Sequence, residues 1–295
     1  MGLRSQDVKR FLLDAGADLV GIASHDRFAE LTPGTRPIDL LKHCKSVIVF
    51  AKRVPFGSAT PHPSISAMEF GDFIPEAVLN DIAYRAALWM EDNGAITMPT
   101  PSGRDVVGLD ILREAPAPEI KMRGSFDLRF AAVQAGLGRI GANNMVVTEK
   151  SGSRVRLGAL LTVADLAPDP PQPYGRIPDF CVACGFRCVA ACPAQALRGT
   201  GGVDHYRCLV IRPDLVAPDR VVADLRKQYS ARPLVLAAKQ LSYTDSPPHP
   251  CATCTTLCPM DHARTLTVDP FYRETWNEYD VAQVFGDPAV GFDRR

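Results

Sequence analysis

Apolar residues recur at helical spacing over residues 5–16, where Val8, Phe11, Leu12 and Ala15 share a face and Ser5 stands as an N-cap. Gly16 closes that helix, and the run DLVGIA after it has the length and composition of a buried strand. A short helix near 38–43 leads into SVIVFA, a second strand rich in β-branched residues. The longest helical pattern covers 75–93, opened by Pro75 and stopped by Asn93-Gly94, and AITMP then reads as a third strand. Helical periodicity returns over 126–135. After a glycine-rich loop, MVVTE and VRLGALLTVADL read as the arms of a β-hairpin turning at 150–153. Residues 1–166 therefore predict an α+β core in which helices and strands alternate in an α/β-like way.

The pattern breaks at 168–178, a proline-rich stretch that reads as a linker. Residues 167–295 form the second expected domain: a cysteine-rich, ferredoxin-like region with a helical insertion at 218–240 and an irregular tail from about 265. A length of 295 residues suits this division. Lys+Arg and Asp+Glu balance at 33 each, so no global field attracts a polyanion, and nucleic acid is disfavoured as a partner. The N-terminus is charged throughout, without the apolar stretch of a secretory signal. No apolar run approaches the roughly 18 residues of a membrane span. A cytoplasmic protein with no membrane partner is expected.

Cysteine usage changes the picture most. Of nine cysteines, only Cys44 lies outside 181–258. A disulfide framework for a small secreted domain would not be confined to one quarter of a long chain, so the crowding points to metal. The first run is Cys181-Val-Ala-Cys184-Gly-Phe-Arg-Cys188-Val-Ala-Ala-Cys192-Pro193. Cys208 stands alone, and Cys251-Ala-Thr-Cys254-Thr-Thr-Leu-Cys258-Pro259 follows. A 4Fe–4S cubane takes three thiolates from a tight loop and a fourth from a remote Cys-Pro, which in two-cluster ferredoxins serves the other cluster. That exchange assigns Cys181, Cys184, Cys188 and Cys258 to one cluster, and Cys192, Cys208, Cys251 and Cys254 to a second. Zinc also uses C-x2-C pairs, but eight cysteines with two Cys-Pro steps suit it poorly. Three residues separate Cys184 from Cys188, one more than the usual spacing, which implies an enlarged loop. Cys44 abuts an apolar strand and reads as an inert buried thiol.

Gly136-Leu-Gly138-Arg-Ile-Gly141 matches G-x-G-x-x-G by pattern, but a helix precedes it and a strand follows. A dinucleotide site needs the reverse order, which excludes NAD binding by a Rossmann loop. A tight helix-to-strand turn and a cofactor-cradling loop both remain open. The stretch RFAAVQAGLGRIGANNMVVTEKSGSRVRLGALLTVADL, followed closely by the eight cysteines, resembles the epoxyqueuosine reductase family and, more distantly, the reductive dehalogenases. The resemblance covers roughly 5–260. It implies a base-off corrinoid (cobalamin) fed by two 4Fe–4S clusters, with Gly138, Arg139, Ile140, Gly141, Asn143, Asn144, Arg154, Leu157 and Gly158 lining the corrinoid site. Family members carry Gly-Lys-Asn where this chain has Gly141-Ala142-Asn143. Their proposed acidic proton donor has no counterpart at 121–124, with Glu119 and Asp127 the nearest acids, and the catalytic residue stays unknown. The tRNA-modifying members also extend into a C-terminal helical-repeat domain, whereas this sequence stops soon after Cys258; a tRNA substrate is therefore not expected.

Other side chains carry less. His205 and His249 flank cluster cysteines and could tune them, or simply be solvated loop histidines. Tyr206 could donate a proton or only pack. Arg123, Arg129, Arg139, Arg154 and Arg156 either hold an anionic group or, for Arg154 and Arg156, line the solvent face of a hairpin. No protease, hydrolase or NTPase motif is present. The expectation is an iron–sulfur reductase that passes electrons from a low-potential ferredoxin or flavodoxin type donor, through two clusters and a corrinoid, to a small organic substrate. The alternative is an electron carrier that serves a partner enzyme and has no substrate of its own.

Overall fold

The computed structural model describes residues 2–55, 58, 69–102, 126–192, 195–203, 253–256 and 258. Helix α1 (Ser5–Asp14) buries Val8 and Leu12, and its N-cap is Arg4 rather than Ser5. Strands β1 (Leu19–Ser24) and β2 (Ser46–Arg53) follow, joined through a 3-10 turn (His25–Phe28) and the one-turn helix α2 (Pro37–Leu40). A π-helical turn (Glu69–Phe73) runs into the long helix α3 (Ile74–Asp92), with Pro75 in its first turn where a missing N–H costs nothing. Strand β3 (Thr97–Thr100), helix α4 (Leu128–Gln134), the two-residue strands β4 (Arg139–Ile140) and β5 (Val146–Val147), and strand β6 (Val155–Thr162) complete the core.

Four strands form one sheet in the order β1-β2-β6-β3, and every pairing in it is antiparallel. Since β2 and β3 both run against β6, they run parallel to each other, with α3 as the crossover and β6 inserted between them. This split crossover corrects the α/β-like reading: helix and strand do alternate, but no parallel pair is made, and the core is α+β. The predicted hairpin is likewise corrected. Strand β5 pairs with β4 in a separate two-stranded ribbon, while β6 lies in the main sheet.

Both faces of the sheet are covered, which is why SVIVFA has no polar alternation. Ile48, Phe50, Ile22 and Leu160 face α1 and α3, meeting Leu12, Leu79, Ile82 and Met90. Val47, Val49, Ala159 and Leu161 face α4 and the aromatic pair Phe28 and Phe126. Gly158 stands opposite Phe50, and a Cβ there would meet that ring at 2.8 Å.

The proline-rich stretch is laid along the core rather than left as a free linker. Asp169 accepts from Lys9 Nζ at 2.6 Å and from the Ile22 amide at 2.8 Å, while its own amide donates to Ile22 O. Arg27 donates to the carbonyls of Gln134 and Asp169, and the Gln172 amide donates to Val133 O. This strap delivers the chain to helices α5 (Asp179–Ala183) and α6 (Arg187–Ala190) and, from further along the sequence, α7 (Thr253–Thr256).

Candidate metal centre

Cys181 lies in α5, Cys184 is the C-cap of that helix, and Cys188 lies in α6. Between the two helices, Gly185 (φ 68°) and Phe186 (φ 55°) both adopt the left-handed conformation. That pair absorbs the extra residue of the Cys184–Cys188 spacing. A left-handed phenylalanine costs about 1–2 kcal/mol. The ring opposes this cost by packing with Ile177, Phe180, Val189 and Leu197 in an apolar shell around the cysteines.

Cys181 and Cys188 are buried, whereas Cys184, Cys192, Cys254 and Cys258 are half-buried. Burial pushes the Cys188 thiol up to about 11, and the neighbouring Cys258, Cys184 and Cys181 push the same way. Burial also raises Cys181, against a backbone N–H from Ala142 that favours its thiolate; Cys184 and Cys258 add to the rise. Cys258, remote in sequence, is thus near enough to act on the thiols of Cys181 and Cys188. Cys192 and Cys254 pack against the same shell. Cys208, Cys251, His205, His249, Tyr206, Arg123 and Glu119 lie outside the described residues. Among the described residues, no three His, Cys, Asp or Glu side chains are set to hold a lone ion.

The glycine loop after α4 reaches this centre. Gly136 has φ 80°, and a Cβ on it would lie 2.6 Å from Pro170 O of the strap. At Gly138 a Cβ would collide with Val147 O, and at Gly141 it would stand 2.8 Å from Val147 and 3.7 Å from Cys181 Sγ. Each glycine thus has a reason in the chain's own packing, which favours the tight-turn reading. The turn still has chemical consequences. It presents the Ala142 N–H to Cys181 Sγ at 3.5 Å, and the buried Asn143 donates from Nδ2 to Cys254 O at 3.1 Å. Ser153 Oγ donates to Thr255 O at 3.1 Å, and the Ala196 N–H points at Cys192 Sγ at 3.3 Å. Backbone donors carry no residue signature, so the sequence pointed neither to the Ala142 and Ala196 amides nor to the Ser153 hydroxyl. Soft thiols in an apolar shell, with N–H groups aimed at sulfur, fit an iron–sulfur cluster.

The residues named for a corrinoid fall into two groups. Gly138, Arg139, Ile140, Gly141, Asn143 and Asn144 lie on the loop beside the cysteines, while Arg154, Leu157 and Gly158 lie on or just before β6. Arg154 is 2% exposed and donates to Val54 O; Arg156 pairs with Asp72 at 3.0 Å. Arg154 therefore does not take the solvent-face alternative, and Arg156 is only partly exposed. Ile140 and Asn144 also border a surface cleft of about 150 Å³ with Arg129, Phe130, Tyr174 and Arg176. As the described residues line it, that volume is well below the roughly 300–1,000 Å³ of ordinary ligand pockets. Asp127 Oδ1, also at the cleft, accepts from the amides of Arg129 and Phe130 and so caps α4. Cys44 is 1% exposed, and burial pushes its thiol up to about 11, as an inert core position requires.

No family model matches the chain. It is 28% identical over 279 residues to a tetrachloroethene reductive dehalogenase of Desulfitobacterium hafniense, covering 94% of this chain and 41% of that protein. An epoxyqueuosine reductase of Gloeobacter violaceus is 30% identical over 169 residues, 55% of this chain and 46% of its own. The solved epoxyqueuosine reductase of Streptococcus thermophilus superposes with a TM-score of 0.57 at 20% identity, covering 86% of this chain and 65% of that one. The chain therefore spans less than half the length of the dehalogenase and reductase matched by sequence, and it shares the mixed helix-and-sheet fold of the solved enzyme. By sequence, then, the chain is similar to reductive dehalogenases and to epoxyqueuosine reductases.

Proposed function

We propose that this protein is an iron–sulfur oxidoreductase in which two 4Fe–4S clusters pass electrons to a corrinoid (cobalamin) that reduces a small organic substrate. The observation that supports this reading is the apolar shell that buries Cys181 and Cys188, with Cys192 and Cys254 packed against it, Cys184 and Cys258 near enough to act on the two buried thiols, and the Ala142 amide on Cys181. Cys181, Cys184, Cys188 and Cys258 would hold one cluster, and Cys192, Cys208, Cys251 and Cys254 the other. Bound corrinoid supplies low-valent cobalt chemistry that no side chain can perform. The chain's part is to bind, orient and keep water away: Phe180, Phe186, Val189 and Leu197 exclude solvent at the cysteines, and the loop through Arg139 and Asn143 fixes their backbone.

A low-potential donor of the ferredoxin or flavodoxin type would reduce the clusters. A small substrate rather than tRNA is supported by the zero formal net charge, which gives no general attraction for phosphates. Expression with cobalamin supplied, anaerobic purification, and analysis of iron, sulfide and cobalt test the reading. About eight irons and one cobalt per chain, with base-off corrinoid bands, are expected. Eight irons without cobalt after reconstitution would remove the corrinoid and leave an electron carrier for a partner enzyme. Iron well below eight after reconstitution would remove the clusters themselves.

A further inference from the structure

Among the described arginines of this region, Arg139 is the one with a buried donor left unmatched. Arg129 donates to Asn144 O, Arg154 to Val54 O, Arg156 to Asp72, and Arg27 to two carbonyls. The Nε of Arg139, by contrast, is buried and has no hydrogen-bond partner among the described residues. A buried donor left unmatched costs about 1–3 kcal/mol, and more for a charged group, so a site that keeps one has an acceptor in view. The position of β4 says which acceptor. Arg139 stands three residues before the amide that donates to Cys181 Sγ, and two before Gly141, whose Cα faces the same sulfur. Its positive charge is felt at Cys181, where it favours the thiolate. Each cubane is an anion held by thiolates, and its potential depends on nearby charge and on hydrogen bonds to its sulfurs.

We propose that Arg139 is a positioning residue for the cluster held by Cys181, Cys184, Cys188 and Cys258: its Nε–H donates to a thiolate or sulfide there, and its charge raises that cluster's reduction potential above that of the second. This rests on the two-cluster reading above. A one-electron reduction adds negative charge to the cluster, and the guanidinium favours the reduced form by attraction. The pair would then hold the electron on the side of the loop, next to the turn that carries Asn143 and Asn144.

EPR-monitored redox titration of the anaerobically reconstituted protein is the test. R139M should lower the reduced-to-oxidised ratio of one cluster about tenfold at fixed potential, a shift of about 59 mV for one electron. R139K keeps the charge and should stay within threefold of the wild type. In a C188A background, which removes the first cluster, R139M should leave the remaining signal unmoved. A shift below threefold in R139M, an R139K shift as large as that of R139M, or a shift surviving in the C188A background overturns the assignment. Should R139M fail to load both clusters, R139Q takes its place with the same thresholds. A wild-type protein that binds no iron refutes the cluster reading instead, which keeps the two failures apart.

Discussion

Cys44 and Cys188 are both thiols that burial pushes up to about 11, yet only Cys188 has other cysteines around it. At Cys44 the folded state holds the proton more tightly than the unfolded chain, so its contribution to stability is whole below the ordinary thiol range near 9. It is lost as pH rises towards about 11. Urea unfolding of the wild type and of Cys44→Ala, compared at pH 8 and pH 11, should show the wild-type advantage falling by roughly 2 kcal/mol; a constant difference would refute the assignment. Asn143 is 4% exposed and spends Nδ2 on Cys254 O while Oδ1 accepts from the Met145 amide. Asn143→Ala should cost about 1–3 kcal/mol and speed iron loss to a chelator, read from the thermal midpoint and the absorption decay. The burial of Cys44 could be read from the apolar strand beside it, and the cysteine runs stood out in the sequence by type and spacing. The role of Asn143 could not, since an amide serves a cofactor or a carbonyl equally well.

The glycine loop and the strands around it show how far pattern carries at the level of elements. SVIVFA and the β6 run were recognisable as strands, because continuous apolar stretches of β-branched residues suit a sheet covered on both sides. Their neighbours were not recognisable. A strand's sequence states its faces but not its partner, so β6 joined β2 across a hundred residues of chain while β5 turned back to β4. The one-turn helices α5 and α6 carry too little periodicity to be seen, and the left-handed Phe186 between them has no signature in type. In the loop itself, Gly138→Ala should destabilise the fold by several kcal/mol through the clash with Val147 O. Gly34→Ala, strained by φ 91° but open to solvent, should cost about 1 kcal/mol. Denaturant midpoints separate the two, and equal losses would mean that close approach is not what the loop glycine serves.

Across the whole molecule, the strap joins what the sequence divides at 167. Its bonds to Lys9, Ile22, Arg27 and Val133 reach α1, β1 and α4 together. Asp169→Ala should lower the thermal midpoint of the core and, by freeing the approach to Asp179–Ala183, slow cluster reconstitution; unchanged reconstitution kinetics would show that the strap serves the core alone. Iron removal probes the coupling from the other side. Binding free energy that depends on the fold is folding free energy, so a chelated sample should melt at lower temperature than the loaded one. Hydrogen exchange should quicken first at 139–143, where Ala142 and Asn143 touch the cysteine runs. If Cys181 holds a cluster, loss of that cluster would loosen the anchor of a turn whose other end, at Gly138, is packed against Val147 of β5. Corrosion at the metal would then surface as fraying of the β4–β5 ribbon, because the Ala142 amide would lose the sulfur that ties the turn down.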